Sequence, residues 1–220
     1  DDDILDRIQR WINEDRSSAA VTSLSHVYAD LAEVLDSMRR IKILAPEGIQ
    51  LPRSTANSVR VALIRRFFTE QLEFINIAKK YVDLEDFFDL IERIVFPPGS
   101  YGKLGGKSAG LFLASRILKQ AARRNKVIGQ VKKPKTWYVT SDALIAFTTY
   151  NNLDDVTEQK YKDIEVIRQE YPHIVQVFKN SAFPPEIVKG LSVALDDFGE
   201  VPLIVRSSSL LEDRLGTAFA

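Results

Sequence analysis

The chain has 220 residues, of which 45% are hydrophobic and 27% are charged, with 30 lysines and arginines against 30 aspartates and glutamates. This length allows one large core or two small ones, and the net charge of zero gives no global reason to expect nucleic acid or an anionic membrane as a partner. The absence of cysteine excludes disulfides and thiolate metal sites. No apolar run reaches the length of about 18 residues that a membrane helix needs, and no basic region followed by an apolar one has the pattern of a signal peptide, so we expect a protein of the reducing cytoplasm.

Neither end of the sequence resembles a natural terminus. The chain opens on three aspartates without an initiator methionine, and it stops at 217-TAFA-220, within a segment that has the pattern of ordered structure. We therefore expect the chain to be a fragment of a longer protein.

The first half of the sequence has the pattern of successive helices. Apolar residues recur at steps of three and four over 24–38, and a break follows at 45-APEGIQLP-52, where prolines and a glycine interrupt the pattern. The segment 54–81 predicts one long helix, and 83-DLEDFFDLIERIVF-96 predicts another. We interpret this half as a helical bundle.

The stretch 97-PPGSYG-102 cannot continue a helix and marks a predicted boundary between a helical module, residues 1–96, and a second domain, residues 97–220. Near the start of the second domain a helix follows Lys107. The segment 136-TWYVT-140 is short, β-branched and aromatic, which predicts a strand.

Further helices and one more strand are predicted downstream. Ser141-Asp142 caps a helix, a charged helix follows near 154–169, and Pro184-Pro185 opens a helix that Gly199 closes. The apolar run 201-VPLIVR-206 is short enough for a buried strand. The alternation of helices and strands predicts an α+β fold that is mostly α.

A Gly-Gly-Lys-Ser sequence stands at the start of a predicted helix and consists of Gly105, Gly106, Lys107 and Ser108. It is not a Walker A loop, which requires a glycine at the position that Tyr101 occupies. The glycines would let the backbone approach a ligand, and a helix N-terminus with a mobile lysine favours an anion such as phosphate. The alternative is a glycine turn beside an exposed lysine.

A second polar cluster stands at the end of the predicted strand 201–206. Arg206 would emerge at the carboxyl edge of that strand, where α/β sheets bind ligands, and its guanidinium can hold two phosphate oxygens. Ser207 and Ser208 begin a run of three serines that supplies hydroxyls and turn amides. The alternative is a strand, a serine turn and a surface ion pair.

Three motifs follow one another along the chain: Gly-Gly-Lys-Ser-Ala-Gly-Leu at 105–111, Tyr-Val-Thr-Ser-Asp-Ala at 138–143, and Val-Arg-Ser-Ser-Ser-Leu-Leu-Glu-Asp at 205–213. Their order and spacing resemble the nucleotide-binding domain of phosphoenolpyruvate synthase and pyruvate phosphate dikinase. The resemblance covers about residues 100–220. It implies the first subdomain of an ATP-grasp-like fold, preceded here by the helical bundle.

The resemblance also implies an ATP-dependent phosphotransferase that uses ATP and Mg²⁺. Its acceptor would be a small molecule such as pyruvate, handled by domains outside this chain, and Arg206 would be catalytic. The nucleotide-binding residues at the matching motif positions would be Gly105, Gly106, Lys107, Ser108, Arg206, Ser207 and Ser208. The chain departs from the family at Ser209, where alanine is usual. Without the second subdomain of the ATP site, it is expected to bind ATP weakly and to transfer no phosphate.

A different hypothesis is a non-catalytic regulatory or protein-interaction module, in which the helical half docks a partner and the nucleotide-like half is a degenerate scaffold. The two histidines, His26 and His173, lack the glycine-rich surroundings of a phosphohistidine and are interpreted as structural. The sequence contains no cluster of histidines or carboxylates with the spacing of metal ligands, so we predict no metal-binding residues. The basic runs 123-RRNK-126 and 132-KKPK-135 lack interleaved aromatic residues, so we expect no nucleic-acid partner.

Overall fold

The computed structural model describes residues 4, 7, 24, 29–44, 53–125 and 127–208. Within this part of the chain the fold is mostly helical and contains a two-stranded sheet, which confirms the predicted balance of α and β structure. Two 3-10 helices span Ile128–Gln130 and Asp154–Tyr161. In chain order the α-helices and strands are α1 (Leu31–Leu44), α2 (Arg53–Phe67), α3 (Leu72–Ala78), α4 (Leu84–Ile91), β1 (Ile94–Val95), α5 (Gly106–Ala122), β2 (Tyr138–Val139), α6 (Ala143–Tyr150), α7 (Ile164–Asn180) and α8 (Pro185–Phe198).

The main hydrophobic core joins the helices of the first half to α5. Its aromatic centre contains four fully buried rings, and the centroids of Phe68 and Phe112 lie 4.9 Å apart. Phe112 belongs to α5, whereas the other three rings come from the first 96 residues: Phe67, Phe68 and Phe87. One core therefore extends across the predicted boundary at residue 96, and the division into two domains stays a prediction.

The single long helix predicted over 54–81 is wrong, because α2 ends at Phe67 and α3 begins at Leu72. The Phe67 carbonyl accepts a hydrogen bond from Leu104 N–H at 2.7 Å, and the N–H of Gln71, its next helical partner, donates to Thr69 Oγ1 instead. A backbone carbonyl that is taken by the loop before α5 cannot continue the helix, so the break is imposed from a distant part of the chain.

The helix predicted over 83–96 is also shorter than expected. It ends at Ile91, and Ile94–Val95 form β1, which pairs in parallel with β2. Thr140 N–H donates to the Val95 carbonyl at 3.0 Å. The strand predicted over 136–140 is confirmed at Tyr138–Val139, and α5 connects the two strands as the crossover that a parallel pair requires.

The buried strand predicted over 201–206 is wrong. Residues 202–208 have no regular secondary structure, and the side chains of Ile204 and Val205 are 89% and 96% exposed. An apolar segment becomes a buried strand only where a neighbouring strand satisfies its backbone groups, and within the described residues the sheet consists of β1 and β2. An apolar run in the sequence does not by itself provide a neighbouring strand.

The remaining helices follow the sequence more closely. Proline begins α8 and Gly199, with a φ of 70°, ends it, as predicted. The charged helix predicted near 154–169 is replaced by the 3-10 helix and by α7, because Asp163 has an extended backbone at the N-cap of α7. His173 lies inside α7 and is exposed, whereas His26 lies outside the described residues. None of the described helices combines the length and apolar character needed to cross a membrane.

Candidate functional site

The N-terminus of α5 lacks a cap from its own N-cap residue. Gly105 occupies the N-cap position with an extended backbone and has no side-chain oxygen, and Gly106, Lys107 and Ser108 form the first turn. The first amides of a helix have no partner within the helix and are usually satisfied by a capping side chain or by a ligand. The α5 terminus therefore needs an acceptor from elsewhere.

That acceptor comes from the second polar cluster. Ser208 Oγ accepts hydrogen bonds from Ser108 N–H and from Ser108 Oγ, each at 3.1 Å, although the two serines are 100 residues apart in the chain. Beside them, Lys107 Nζ donates to Ser207 Oγ at 3.5 Å. We call this contact between the first turn of α5 and Ser207–Ser208 the serine junction.

The serine junction requires glycine at position 105. A Cβ atom added there would lie 1.9 Å from the Ser208 carbonyl oxygen and 2.2 Å from its carbonyl carbon, distances at which the two backbones must move apart. Of the residues predicted for the site, the structure thus brings together Gly105, Lys107, Ser108, Ser207 and Ser208, with Gly106 in the same helical turn.

Two positive side chains belong to this region. Lys107 is partly buried at the junction, and Arg206 directly precedes Ser207 with an exposed side chain. A helix N-terminus, three hydroxyls and a lysine form a set of hydrogen-bond donors and positive charge that suits an anion with several oxygens. Direct contact of these residues with a phosphate stays a prediction.

Comparison with known protein families decides the relationship of the chain. The family model described as the pyruvate phosphate dikinase AMP/ATP-binding domain matches residues 101–220, which include all three motifs. The chain belongs to this family. A search of curated proteins and a search of solved structures each found no match. The resemblance seen in the motifs is confirmed, and it relates the chain to the ATP-dependent phosphotransferases that contain the pyruvate phosphate dikinase domain.

A hydrogen-bond network at the start of the pyruvate phosphate dikinase AMP/ATP-binding domain centres on Asp142 and was missed in the sequence. Ser100, whose side chain is 2% exposed, donates from Oγ to Asp142 Oδ1 at 2.9 Å, and Tyr101 N–H donates to Asp142 Oδ2 at 2.8 Å. The sequence predicts that Asp142 caps α6, but its side chain makes no capping bond there and reaches the loop before α5 instead. Asp142 belongs to the second motif, at 138–143, which could have indicated that it bonds to this loop. That motif was not used to predict site residues.

Backbone groups of the helical half also bond to this loop. Leu31 N–H donates to the Ser100 carbonyl at 2.7 Å, and Lys103 Nζ donates to the Arg65 carbonyl at 2.9 Å. Burial holds the pKa of Lys103 below its ordinary value. Helices α1 and α2 therefore support the loop that leads into the serine junction of the pyruvate phosphate dikinase domain.

The fit of Mg²⁺ to this part of the pyruvate phosphate dikinase domain is limited. Hard cations of this kind are held by carboxylates, backbone carbonyls and phosphate oxygens. Within the described ranges, no group of three or more histidines, cysteines, aspartates and glutamates could hold a metal ion. We therefore assign no Mg²⁺ ligands to these residues.

Proposed function

We propose that the chain forms the phosphate-binding part of an ATP-dependent phosphotransferase related to phosphoenolpyruvate synthase and pyruvate phosphate dikinase. In this proposal residues 97–220 are the first subdomain of an ATP-grasp-like fold that acts with ATP and Mg²⁺. The proposed phosphoryl acceptor is a small molecule such as pyruvate. The serine junction supports the proposal most, since it gathers a helix N-terminus, three hydroxyls and a lysine from motifs 100 residues apart.

The chemistry of the serine junction favours the phosphates of ATP over its base. The partial positive charge at a helix N-terminus stabilises an anion by about 0.3–1 kcal/mol. A hydrogen bond to a charged group contributes about 1.5–3 kcal/mol, and Lys107 can make such a bond with a phosphate oxygen. We assign the phosphate chain to the first turn of α5, beside Ser207 and Ser208.

Arg206 is the residue that we assign to catalysis. It directly precedes Ser207 in the chain, and its exposed guanidinium can hold two phosphate oxygens at once. In phosphoryl transfer negative charge shifts among the phosphate oxygens, and fixed positive groups that neutralise it supply much of the rate enhancement. Lys107 and Arg206 would supply that charge here.

Replacement of either cation is expected to weaken ATP binding by the 220-residue chain. Because each side chain would lose a charge-assisted hydrogen bond, Lys107→Ala and Arg206→Ala should each raise the dissociation constant about tenfold or more. Calorimetric titration with Mg-ATP at high protein concentration measures this. Lys119→Ala, which removes an exposed lysine from the last turn of α5, is the matched control and should bind as the unsubstituted chain does. An unchanged affinity in Lys107→Ala would contradict the assignment of the phosphates to this turn.

A further inference from the structure

Asp142 connects the second motif of the chain, at 138–143, to the loop that precedes the first motif, at 105–111. It lies three residues past the end of β2, at the N-cap of α6, and its two carboxylate oxygens accept hydrogen bonds from different residues of that loop. Ser100 Oγ also accepts the N–H of Gly102 at 3.0 Å, and Thr140 Oγ1 lies 3.3 Å from it. A single aspartate therefore orders three consecutive loop residues, two directly and one through a buried serine.

Backbone hydrogen bonds hold both ends of this loop, whereas its middle depends on Asp142. The Ser100 carbonyl accepts Leu31 N–H, and Leu104 N–H donates to the Phe67 carbonyl, both at 2.7 Å. Between these points, Ser141 N–H donates to the Lys103 carbonyl at 2.8 Å. The backbone bonds hold residues 100, 103 and 104, whereas the amides of Tyr101 and Gly102 depend on the Asp142 and Ser100 side chains.

We propose that Asp142 is a positioning residue for ATP: it holds the loop 100–105 so that Gly105 begins α5 against Ser208. This inference rests on the proposed function, because the serine junction is the site that the loop would position. The role is geometric, since Asp142 bonds a hydroxyl and a backbone amide rather than a cation. Its negative charge does not favour the binding of an anion, because like charges repel.

The geometric role predicts a difference between two substitutions. Asp142→Ala removes both acceptors and leaves the Tyr101 amide and the Ser100 hydroxyl without them. Asp142→Asn keeps the arrangement, because its amide oxygen can accept Tyr101 N–H while its NH₂ group donates to Ser100 Oγ. We expect Asp142→Ala to raise the dissociation constant for ATP at least tenfold and Asp142→Asn to stay within about threefold of the unsubstituted chain.

The experiment combines Mg-ATP titration with hydrogen–deuterium exchange, both on the 220-residue chain. In Asp142→Ala we expect faster exchange of the amides of residues 101–108, with unchanged protection in α2 and α4. Asp196→Ala, which removes an exposed carboxylate from α8, is the control and should change neither readout. The exchange measurement needs no nucleotide. If the unsubstituted chain binds no ATP but the loop amides still exchange faster in Asp142→Ala, the proposed function fails while the loop-holding role of Asp142 is supported.

Three results would overturn the proposal. The first is unchanged affinity and unchanged exchange in Asp142→Ala, and the second is an Asp142→Asn variant as weak as Asp142→Ala, which would make the charge and not the geometry decisive. Should Asp142→Ala fail to fold, Ser100→Ala replaces it, because it removes one of the two bonds and no charge. Unaltered loop exchange and affinity in Ser100→Ala is the third overturning result.

Discussion

Gly105→Ala is expected to lower the affinity of the chain for ATP about a hundredfold or more, while its free energy of unfolding falls only by the cost of losing the Ser208 cap of α5, about 0.5–2 kcal/mol. A Cβ atom at this position would meet the Ser208 backbone at 1.9 Å, so the segment 202–208 must leave α5. That movement removes Arg206 and both serines from the site together, and the absence of each charge-assisted hydrogen bond lowers the affinity about tenfold. The segment is largely exposed, so its departure uncovers little apolar surface.

Gly110→Ala is the matched control for this substitution. Gly110 lies in the same helix, and a Cβ atom there would meet no atom within 4 Å. Because alanine is a better helix former than glycine, Gly110→Ala should stabilise the chain by about 0.5–1 kcal/mol and bind ATP normally. Titration and urea unfolding of both variants measure the two effects. Normal ATP affinity in Gly105→Ala would show that the serine junction is not needed for binding.

Arg116→Ala should strongly destabilise the chain, with a cost of about 3–5 kcal/mol in the free energy of unfolding. The Arg116 side chain is 8% exposed, and its Nη1 lies 2.9 Å from Oδ1 of Asp86, a side chain that is only 13% exposed. The guanidinium also lies 5.0 Å from the ring centroid of Phe112. Truncation would break this ion pair between α4 and α5, leave the Asp86 carboxylate without its buried partner, and remove a cation–π contact within α5.

Arg168→Ala is the comparison that isolates burial. Arg168 Nη1 also lies 2.9 Å from a carboxylate oxygen, that of Glu165, but both side chains are about 70% exposed. Such surface pairs contribute about 0.2–1 kcal/mol. Urea unfolding of the two variants should therefore differ by several-fold in the loss of stability. Equal losses would mean that the Arg116–Asp86 pair does not join the helical half to α5 in solution.

The sequence predicted those features of the fold that depend on local pattern. The apolar spacing over 24–38 predicted one apolar face of a helix, and Leu31, Leu35 and Met38 from this segment lie in the core, because the period of a helix brings such residues to one face. Proline and glycine at the two ends of α8 were equally informative, since their backbone preferences act on the residue itself.

Features that depend on a distant partner could not be predicted in this way. The end of α2 is determined by Leu104 N–H, and β1 exists because Tyr138 and Thr140 lie beside it. Arg116 has the appearance of an ordinary exposed helical arginine in the sequence, and only its proximity to Asp86 makes it a core residue. Each of these outcomes depends on which atoms meet in three dimensions.

The candidate site could be predicted in part, because some of its features follow from the motifs and others depend on a distant partner. Motif order predicted that Gly105–Ser108 and Arg206–Ser208 serve one site, and the bonds between Ser108 and Ser208 bring the two segments together. The role of Asp142 was missed because an aspartate before a helix has a simpler explanation as its cap. A carboxylate can cap its own helix or cross to another segment, and residue type alone does not distinguish these alternatives.

The central claim is that the serine junction binds the phosphates of ATP, and an NMR titration of the ¹⁵N-labelled chain tests it most directly. ATP and inorganic tripolyphosphate should both shift the amide signals of Lys107, Ser108, Ser207 and Ser208 along one saturable curve, whereas adenosine should leave them in place. Signals from α7, which has no buried residue and lies outside the junction, serve as the internal reference. Shifts at the junction with adenosine but not with tripolyphosphate, or no shift there at millimolar ATP, would contradict the account.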